Sequence, residues 1–177
     1  MQTEIELKIL DINPIELTKK LVELGAKETG HKFQRRYVYD IVKGDESQWI
    51  RLRDTGEKIE LTYKKIHDDS ITGTQELEID VSDFAATNQL LEKLGYKAKA
   101  YQENRRTSFT LNNLSIEIDE WPKLRPYLEI EGQDEKSVYS LVEQLGYTKN
   151  QTTSENTKKL YAKEGIDLNT TARLKFS

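Results

Sequence analysis

Apolar and polar residues alternate along much of the chain, and this alternation predicts a β-rich fold. The windows with a period of two residues, the spacing of a β-strand, fall at about 3–10, 34–42, 48–54, 58–66, 74–81, 102–111, 114–120 and 126–132. Helical spacing appears instead at about 14–24, 82–94 and 134–145. A polar tail over 149–177, with a short helix at about 154–163 and a loose end, completes the expected order.

The predicted helices have recognisable ends. Asn13, Ser82 and Asp134 stand where N-caps are expected. Each helix closes on a leucine followed by a glycine, which fits a left-handed C-cap: Leu24-Gly25, Leu94-Gly95 and Leu145-Gly146. A strand with the pattern Glu-x-Glu precedes each helix, so a loose three-fold repetition runs through the chain.

Charge separates across the predicted strands. In the first strand Glu4, Glu6 and Lys8 share one face, and apolar residues occupy the other. Later strands repeat this split, with acidic pairs on some strands and basic residues on others. The in-phase charged positions are Arg51, Arg53, Glu60, Lys64, Glu76, Glu78, Asp80, Arg106, Glu117, Asp119, Glu129 and Glu131.

Two architectures are compatible with this split. One is an open antiparallel sheet with a solvated face and a face packed under helices. The other is a closed barrel, in which about eight strands leave room for side chains and one small ligand. Paired carboxylates are poor strand formers and repel one another unless cations lie between them, so the barrel is favoured. Its hydrated interior would suit a ligand that carries both signs, such as a metal-chelated polyphosphate.

Composition narrows the chemistry. The 177 residues include no Cys, and this absence excludes disulfides, a Cys nucleophile and a thiolate zinc site. They include only two His. A metal would need oxygen ligands, as Mg²⁺, Mn²⁺ and Ca²⁺ prefer. The net charge of −4 gives no support for general nucleic-acid binding. No apolar run approaches the ~18 residues of a membrane span, so a cytoplasmic protein is expected.

The ordered motifs resemble the CYTH superfamily, the triphosphate tunnel metalloenzymes. The similarity begins with Glu4-Ile5-Glu6-Leu7-Lys8 and covers about residues 2–148. The later matches are Trp49-Ile50-Arg51-Leu52-Arg53, Leu61-Thr62-Tyr63-Lys64, Glu76-Leu77-Glu78, Arg106, Ile118-Asp119-Glu120 and Tyr127-Leu128-Glu129-Ile130-Glu131. The resemblance implies one α+β domain over 1–177, an eight-stranded antiparallel β-barrel that forms a tunnel, with helices packed outside.

The resemblance also implies roles for the inward charges. The residues expected to hold Mg²⁺ or Mn²⁺ are Glu4, Glu6, Glu76, Glu78, Glu117, Asp119, Glu129 and Glu131. The residues expected to grip a triphosphate are Lys8, Arg51, Arg53, Lys64 and Arg106, of which Lys8, Arg53 and Lys64 are also expected to act in catalysis.

Two positions depart from the family pattern. Many members carry Lys-x-Arg where this chain has Asn104-Arg105-Arg106, so an inner cation is expected to be lost at Asn104. Arg105 should point outward by phase. Some cyclase-like members have an Asp near the position of Arg36.

The implied function is metal-dependent hydrolysis of a small triphosphate: a nucleoside triphosphate, thiamine triphosphate or tripolyphosphate. One alternative is the class IV adenylyl cyclase reaction, which converts ATP to cyclic AMP and pyrophosphate. Another is a protein that binds polyphosphate without turnover. No membrane partner is expected, and both a monomer and a homodimer remain open.

Overall fold

The computed structural model describes residues 1–177, apart from the side chain of Gln2. Its strands are β1 (Gln2–Glu4), β2 (Glu6–Ile9), β3 (Lys27–Asp40), β4 (Gln48–Asp54), β5 (Ile59–Ile66), β6 (Thr74–Val81), β7 (Ala98–Leu111), β8 (Leu114–Glu120), β9 (Tyr127–Glu131), β10 (Thr152–Thr153) and β11 (Arg173–Leu174). Its helices are α1 (Pro14–Glu23), α2 (Phe84–Lys93), α3 (Glu135–Gln144) and α4 (Thr157–Lys163).

The strands form one curled sheet whose two ends meet at the N-terminal segment. Their order is β1-β6-β5-β4-β3-β7-β8-β9-β2-β10, with β11 beside β7. Strand β1 pairs with β6 and β2 pairs with β9, both antiparallel, and only Ile5 separates β1 from β2. If β1 and β2 are taken as one interrupted strand, eight long strands surround a central cavity. The predicted α+β tunnel with external helices is confirmed.

The outer face of the sheet is largely apolar, and helices cover part of it, whereas Leu77 and Ile79 on β6 remain exposed. Helices α1 and α3 cover β2, β8 and β9 through a core that includes Leu21, Ile116, Ile130 and Val142, all buried. Helix α2 covers a second cluster on β3 and β4, where Tyr39 and Leu52 are fully buried. The strand residues of opposite phase therefore face the interior.

The helix ends match the prediction in all but one detail. Asn13 and Asp134 are N-caps, and Gly25, Gly95 and Gly146 adopt positive φ angles of 89°, 97° and 84°. The predicted cap at Ser82 is wrong, because Asp83 accepts the hydrogen bond from the backbone N–H of Ala86 at 2.6 Å. The carboxylate of the next residue reaches the free amide, so helix α2 begins at Phe84.

The C-terminal tail is packed on the barrel, which contradicts the prediction of a loose end. Leu160, Tyr161 and Leu174 are buried in a cluster with Trp121 and Tyr127. Strand β11 runs parallel to β7, and the hydroxyl of Tyr161 donates to the carbonyl of Pro122 at 2.7 Å. A strand of two residues has no readable period, so the sequence pattern carried no signal for it.

Helix lengths in the described chain stay well below a bilayer span. The longest helices have ten residues, and none of the described helices is long and apolar enough to cross a membrane.

Substitution of Leu174 by Ala tests the packing of the tail. Leu174 is 2 % exposed, so the truncation should lower the free energy of unfolding by about 2–4 kcal/mol in a urea titration. The matched control is Leu94→Ala, at a leucine that is 66 % exposed, and it should change stability by no more than about 0.5 kcal/mol. Equal effects of the two substitutions would show that the tail does not pack.

Candidate active site

One cavity occupies the middle of the curled sheet, with a volume of about 470 Å³. Every charged residue that the sequence assigned to the site lines this cavity, with the exception of Asp119. Asp119 is fully buried behind the wall. The structure thus brings the predicted residues together, while their individual roles remain predictions.

Five carboxylates converge at one side of the cavity. We refer to Glu4, Glu6, Glu76, Glu129 and Glu131 as the acidic cluster. Strand register sets Glu6 directly opposite Glu131 across β2 and β9, although like charges in that arrangement repel. Such a group is stable only if cations lie close to it.

Lys8 supplies part of that positive charge. It is 2 % exposed, and its Nζ lies 2.5 Å from Glu6 Oε1 and 3.3 Å from Glu129 Oε2. Burial alone would lower the pKa of Lys8, but the two carboxylates outweigh burial and raise this pKa above its ordinary value. Lys8 is therefore held as a cation beside these carboxylates.

Glu131 is the carboxylate that the protein leaves without a counter-ion. Among the described side chains, no Lys, Arg or His nitrogen lies within 4 Å of its oxygens, although it is partly buried. Burial, followed by repulsion from Glu4, Glu129 and the other acidic residues, raises the pKa of Glu131 to about 7. A divalent cation at this point would relieve both effects.

The donor chemistry of the acidic cluster fits a hard cation. All its ligands are carboxylate oxygens, which Mg²⁺ and Mn²⁺ prefer. Glu76 Oε2 is buried without a hydrogen-bond partner, although Lys64 Nζ lies 3.2 Å away. Among the described residues, no three acidic or histidine side chains already form a coordination shell. Several of these carboxylates instead form ion pairs with Lys or Arg. Metal binding would therefore require some of their side chains to reorient toward the metal.

The opposite side of the cavity is basic. Arg51 and Arg53 project from β4, and each meets an acid from another strand, β6 for Arg51 and β5 for Arg53. The Nη2 of Arg51 lies 3.2 Å from Glu78 Oε2, and the Nη2 of Arg53 lies 2.6 Å from Glu60 Oε2. The Nε of Arg51 is buried without any hydrogen-bond partner. This wall therefore retains donor capacity for an anion.

Lys64 and Arg106 connect the basic wall with the acidic cluster. Lys64 Nζ lies 2.7 Å from Glu4 Oε1. Arg106 donates from Nε to Asp119 at 2.8 Å and from Nη2 to Asp119 at 2.5 Å, and its Nη2 lies 3.3 Å from Glu129. Both cations thus stand at the boundary between the two charge regions.

Three predicted metal ligands lie outside the acidic cluster. Asp119 gives both oxygens to Arg106, and Glu78 is bound to Arg51. Glu117 accepts from the hydroxyl of Ser108 at 2.5 Å. Each of the three is thus held by a cation or a hydroxyl, and their role as metal ligands stays a prediction.

Several cavity residues were not assigned to the site from the sequence. Arg36 and Gln102 project inward from β3 and β7, and Tyr127 shares its phase with Glu129 on β9. For the residues on strands, the period-two pattern indicated that their side chains face inward. Trp121 follows β8 in a loop, where no such pattern exists.

The predicted orientations of Asn104 and Arg105 are confirmed. Asn104 is fully buried and faces the interior, where it donates to Asp119 at 3.0 Å. Arg105 points outward, with its guanidinium 4.4 Å from the ring centroid of Phe176. The wall therefore carries a neutral amide at Asn104, and Arg105 does not replace the missing cation.

Comparison with known proteins identifies the family of the chain. The family model described as the CYTH domain matches residues 2–161, and the chain therefore belongs to the CYTH domain family. A relative from Methanocaldococcus jannaschii is 28% identical over 135 residues, which is 74% of this chain and 76% of that protein. The name of this relative marks it as a candidate adenylate cyclase.

Solved structures share the fold. A protein from Pyrococcus horikoshii OT3 superposes with a TM-score of 0.77 at 26% identity, covering 89% of this chain and 98% of the other. A protein from Hippeastrum, described as a candidate adenylyl cyclase with a dominant triphosphatase activity, superposes with a TM-score of 0.58 at 16% identity. That comparison covers 95% of this chain and 99% of the other. At this low identity the similarity concerns the fold alone.

The raised pKa of Glu131 predicts a pH-dependent stability. The carboxylate of Glu131 binds its proton more tightly in the folded protein than in the unfolded chain. The free energy of unfolding should therefore fall as pH rises from about 4.5 to about 7. Substitution Glu131→Gln removes the effect. Its stability relative to wild type, measured by urea unfolding in a chelator, should increase by roughly 1–3 kcal/mol between pH 5 and pH 8.

The control for this measurement is Glu143→Gln, at an exposed carboxylate on α3. Its stability relative to wild type should stay constant over the same range. Parallel pH profiles for wild type and Glu131→Gln would contradict the assignment of an unneutralised carboxylate.

Proposed function

We propose that this protein hydrolyses a small triphosphate compound inside the tunnel and uses a divalent metal ion, Mg²⁺ or Mn²⁺. The single observation that carries the proposal is the polarity of the cavity. A carboxylate without a counter-ion, Glu131, stands on one wall, and a buried unpaired donor, Arg51 Nε, stands on another. A ligand that brings a metal cation and phosphate oxygens together complements both.

The basic wall would hold the phosphate chain. Arg51, Arg53 and Arg106 present guanidinium groups, which match phosphate oxygens in a bidentate geometry. Lys8 and Lys64 add point charges beside the acidic cluster. These groups are held by strands and by carboxylate partners, so little reorganisation is needed when charge develops on the transferring and leaving oxygens.

The acidic cluster would hold the metal through Glu4, Glu6, Glu129 and Glu131, with Glu76 beside them. A divalent cation held there would supply positive charge that offsets the charge of the phosphate oxygens. Water attacks the terminal phosphorus, the bond to the bridging oxygen breaks, and a diphosphate compound leaves. A carboxylate oxygen of the acidic cluster accepts the proton of the attacking water.

The second candidate is cyclisation of ATP, and the name of the Methanocaldococcus jannaschii relative favours it. The same walls would bind the substrate, but the ribose 3′-hydroxyl would attack the α-phosphorus and pyrophosphate would leave. The Hippeastrum protein indicates that a cyclase name and a dominant triphosphatase activity can occur together on this fold. We therefore place hydrolysis first.

A product assay distinguishes the candidates. Purified protein is incubated with tripolyphosphate, ATP or thiamine triphosphate in the presence of Mg²⁺ or Mn²⁺, and phosphate, pyrophosphate and cyclic AMP are quantified. We expect phosphate release that a chelator abolishes. Cyclic AMP with an equal amount of pyrophosphate would assign the cyclase reaction instead, and the absence of every product would leave a binding protein.

The same assay with Glu6→Gln tests the role of the acidic cluster. The amide cannot serve as an anionic ligand, so turnover should fall by about two orders of magnitude or more while the protein remains folded. The matched control is Glu16→Gln, at an exposed glutamate on α1, which should retain full activity. Wild-type turnover in Glu6→Gln would refute the metal assignment.

A further inference from the structure

Arg36 is a buried cation without an ion-pair partner, although the carboxylate of Asp119 is near enough to act on its pKa. Its side chain lines the cavity, the residue is 6 % exposed, and none of the described carboxylates lies within 4 Å of its guanidinium nitrogens. Each of the other five cavity cations discussed above has at least one carboxylate partner. Burying an unpaired charge is costly, so this position calls for an explanation.

The hydrogen-bond partners of Arg36 are neutral. Its Nη2 donates to the side-chain oxygen of Asn104 and to Gln34 Oε1, the latter at 3.3 Å. Its Nε is buried without a partner. Burial, together with the guanidinium groups of Arg53 and Arg51, lowers the pKa of Arg36 well below its ordinary value. Amide oxygens orient the guanidinium but do not offset its charge.

Trp121 places a second unpaired donor at the same point. Its indole ring lies under the Arg36 guanidinium, at 4.5 Å from the centroid, and the residue is 5 % exposed. The indole Nε1 is buried and has no hydrogen-bond partner. Two adjacent buried donors without acceptors are rare in folded proteins, and both residues line the cavity.

The strand register places this pair away from the acidic cluster. Along β8, Ser115 lies opposite Glu131, Glu117 opposite Glu129 and Asp119 opposite Tyr127, and Trp121 comes next. On the other side, Arg36 is the register partner of Arg53. Arg36 and Trp121 therefore continue the basic wall at its far end.

We infer that Arg36 and Trp121 form an additional oxyanion subsite, which accepts a free terminal phosphate and makes inorganic tripolyphosphate a better ligand than a nucleoside triphosphate. This inference rests on the proposed function for the reaction, but the subsite itself is defined by binding. Tripolyphosphate carries ionised phosphate at both ends, so one end can meet the acidic cluster through a metal while the other meets Arg36.

A nucleoside at this point would leave the guanidinium uncompensated. The sugar of a nucleoside triphosphate carries no charge, so Arg36 would stay buried beside a neutral group. Stacking of a base on Trp121 offers no compensation, because the guanidinium already covers the indole and the ring of Tyr161 meets it edge-on at 6.4 Å. The subsite therefore selects for charge.

Equilibrium binding in a chelating buffer tests the subsite without metal or turnover. Tripolyphosphate and ATP are titrated by calorimetry into wild type, Arg36→Gln and the control Arg35→Gln. Arg35 is exposed and bound to Asp54. We expect wild type and Arg35→Gln to prefer tripolyphosphate by about tenfold or more. In Arg36→Gln, affinity for tripolyphosphate should fall about 10- to 100-fold and affinity for ATP less than threefold.

Equal losses for both ligands in Arg36→Gln, no loss for either, or a wild-type preference for ATP would each overturn the subsite. The outcome is separate from that of the proposed function. Arg36-dependent preference without turnover of any triphosphate would refute hydrolysis and keep the subsite. Turnover of a triphosphate without an Arg36-dependent preference would refute the subsite and keep hydrolysis.

Thermal unfolding of the ligand-free proteins supplies a second readout. Removal of an unneutralised buried charge should raise the melting temperature of Arg36→Gln above that of wild type. A lower melting temperature or failure to fold would contradict the premise. Trp121→Phe retains the aromatic ring and deletes only the Nε1 donor, and it should weaken tripolyphosphate binding about three- to tenfold. Unchanged binding would remove Trp121 from the subsite.

Discussion

The structure depends on the pairing of opposite charges that face the tunnel interior. Strand register sets four such pairs directly across from one another: Arg53 with Glu60, Lys64 with Glu76, Lys8 with Glu129 and Arg106 with Asp119. Because side chains alternate with a period of two, a slip of one residue would send these charges outward and bring apolar residues into the tunnel. The strand register therefore determines which charges face the interior, and the pairing of these charges favours that register.

The charges that remain unpaired make the two ends of the tunnel different, one negative and one positive. Glu131 lacks a cation at one end, and Arg36 lacks an anion at the other. Neither arrangement favours folding, since each buries a charge at a cost. Their separation nevertheless matches a ligand that carries a metal at one end and free phosphate at the other. These charges therefore lower the stability of the folded protein but favour binding of such a ligand.

Most of the walls could be predicted from the sequence, because period-two alternation reports directly which strand residues face inward. Glu129 and Arg53 were found in this way. Alternation does not report which strands are neighbours, so the hydrogen bond from Arg36 to Asn104 across β3 and β7 could not be foreseen. Trp121 lies in a loop and Leu174 in a strand of two residues, where no period exists.

The central claim is that acids and bases inside one tunnel jointly bind a metal and a triphosphate. A crystal structure with Mn²⁺ and a non-hydrolysable tripolyphosphate analogue, with the metal located by anomalous scattering, tests it directly. The account predicts a manganese peak within coordination distance of Glu4, Glu6, Glu129 or Glu131 and phosphate oxygens on Arg51 and Arg53. Manganese and analogue bound together outside the tunnel, with the interior salt bridges unchanged, would contradict it.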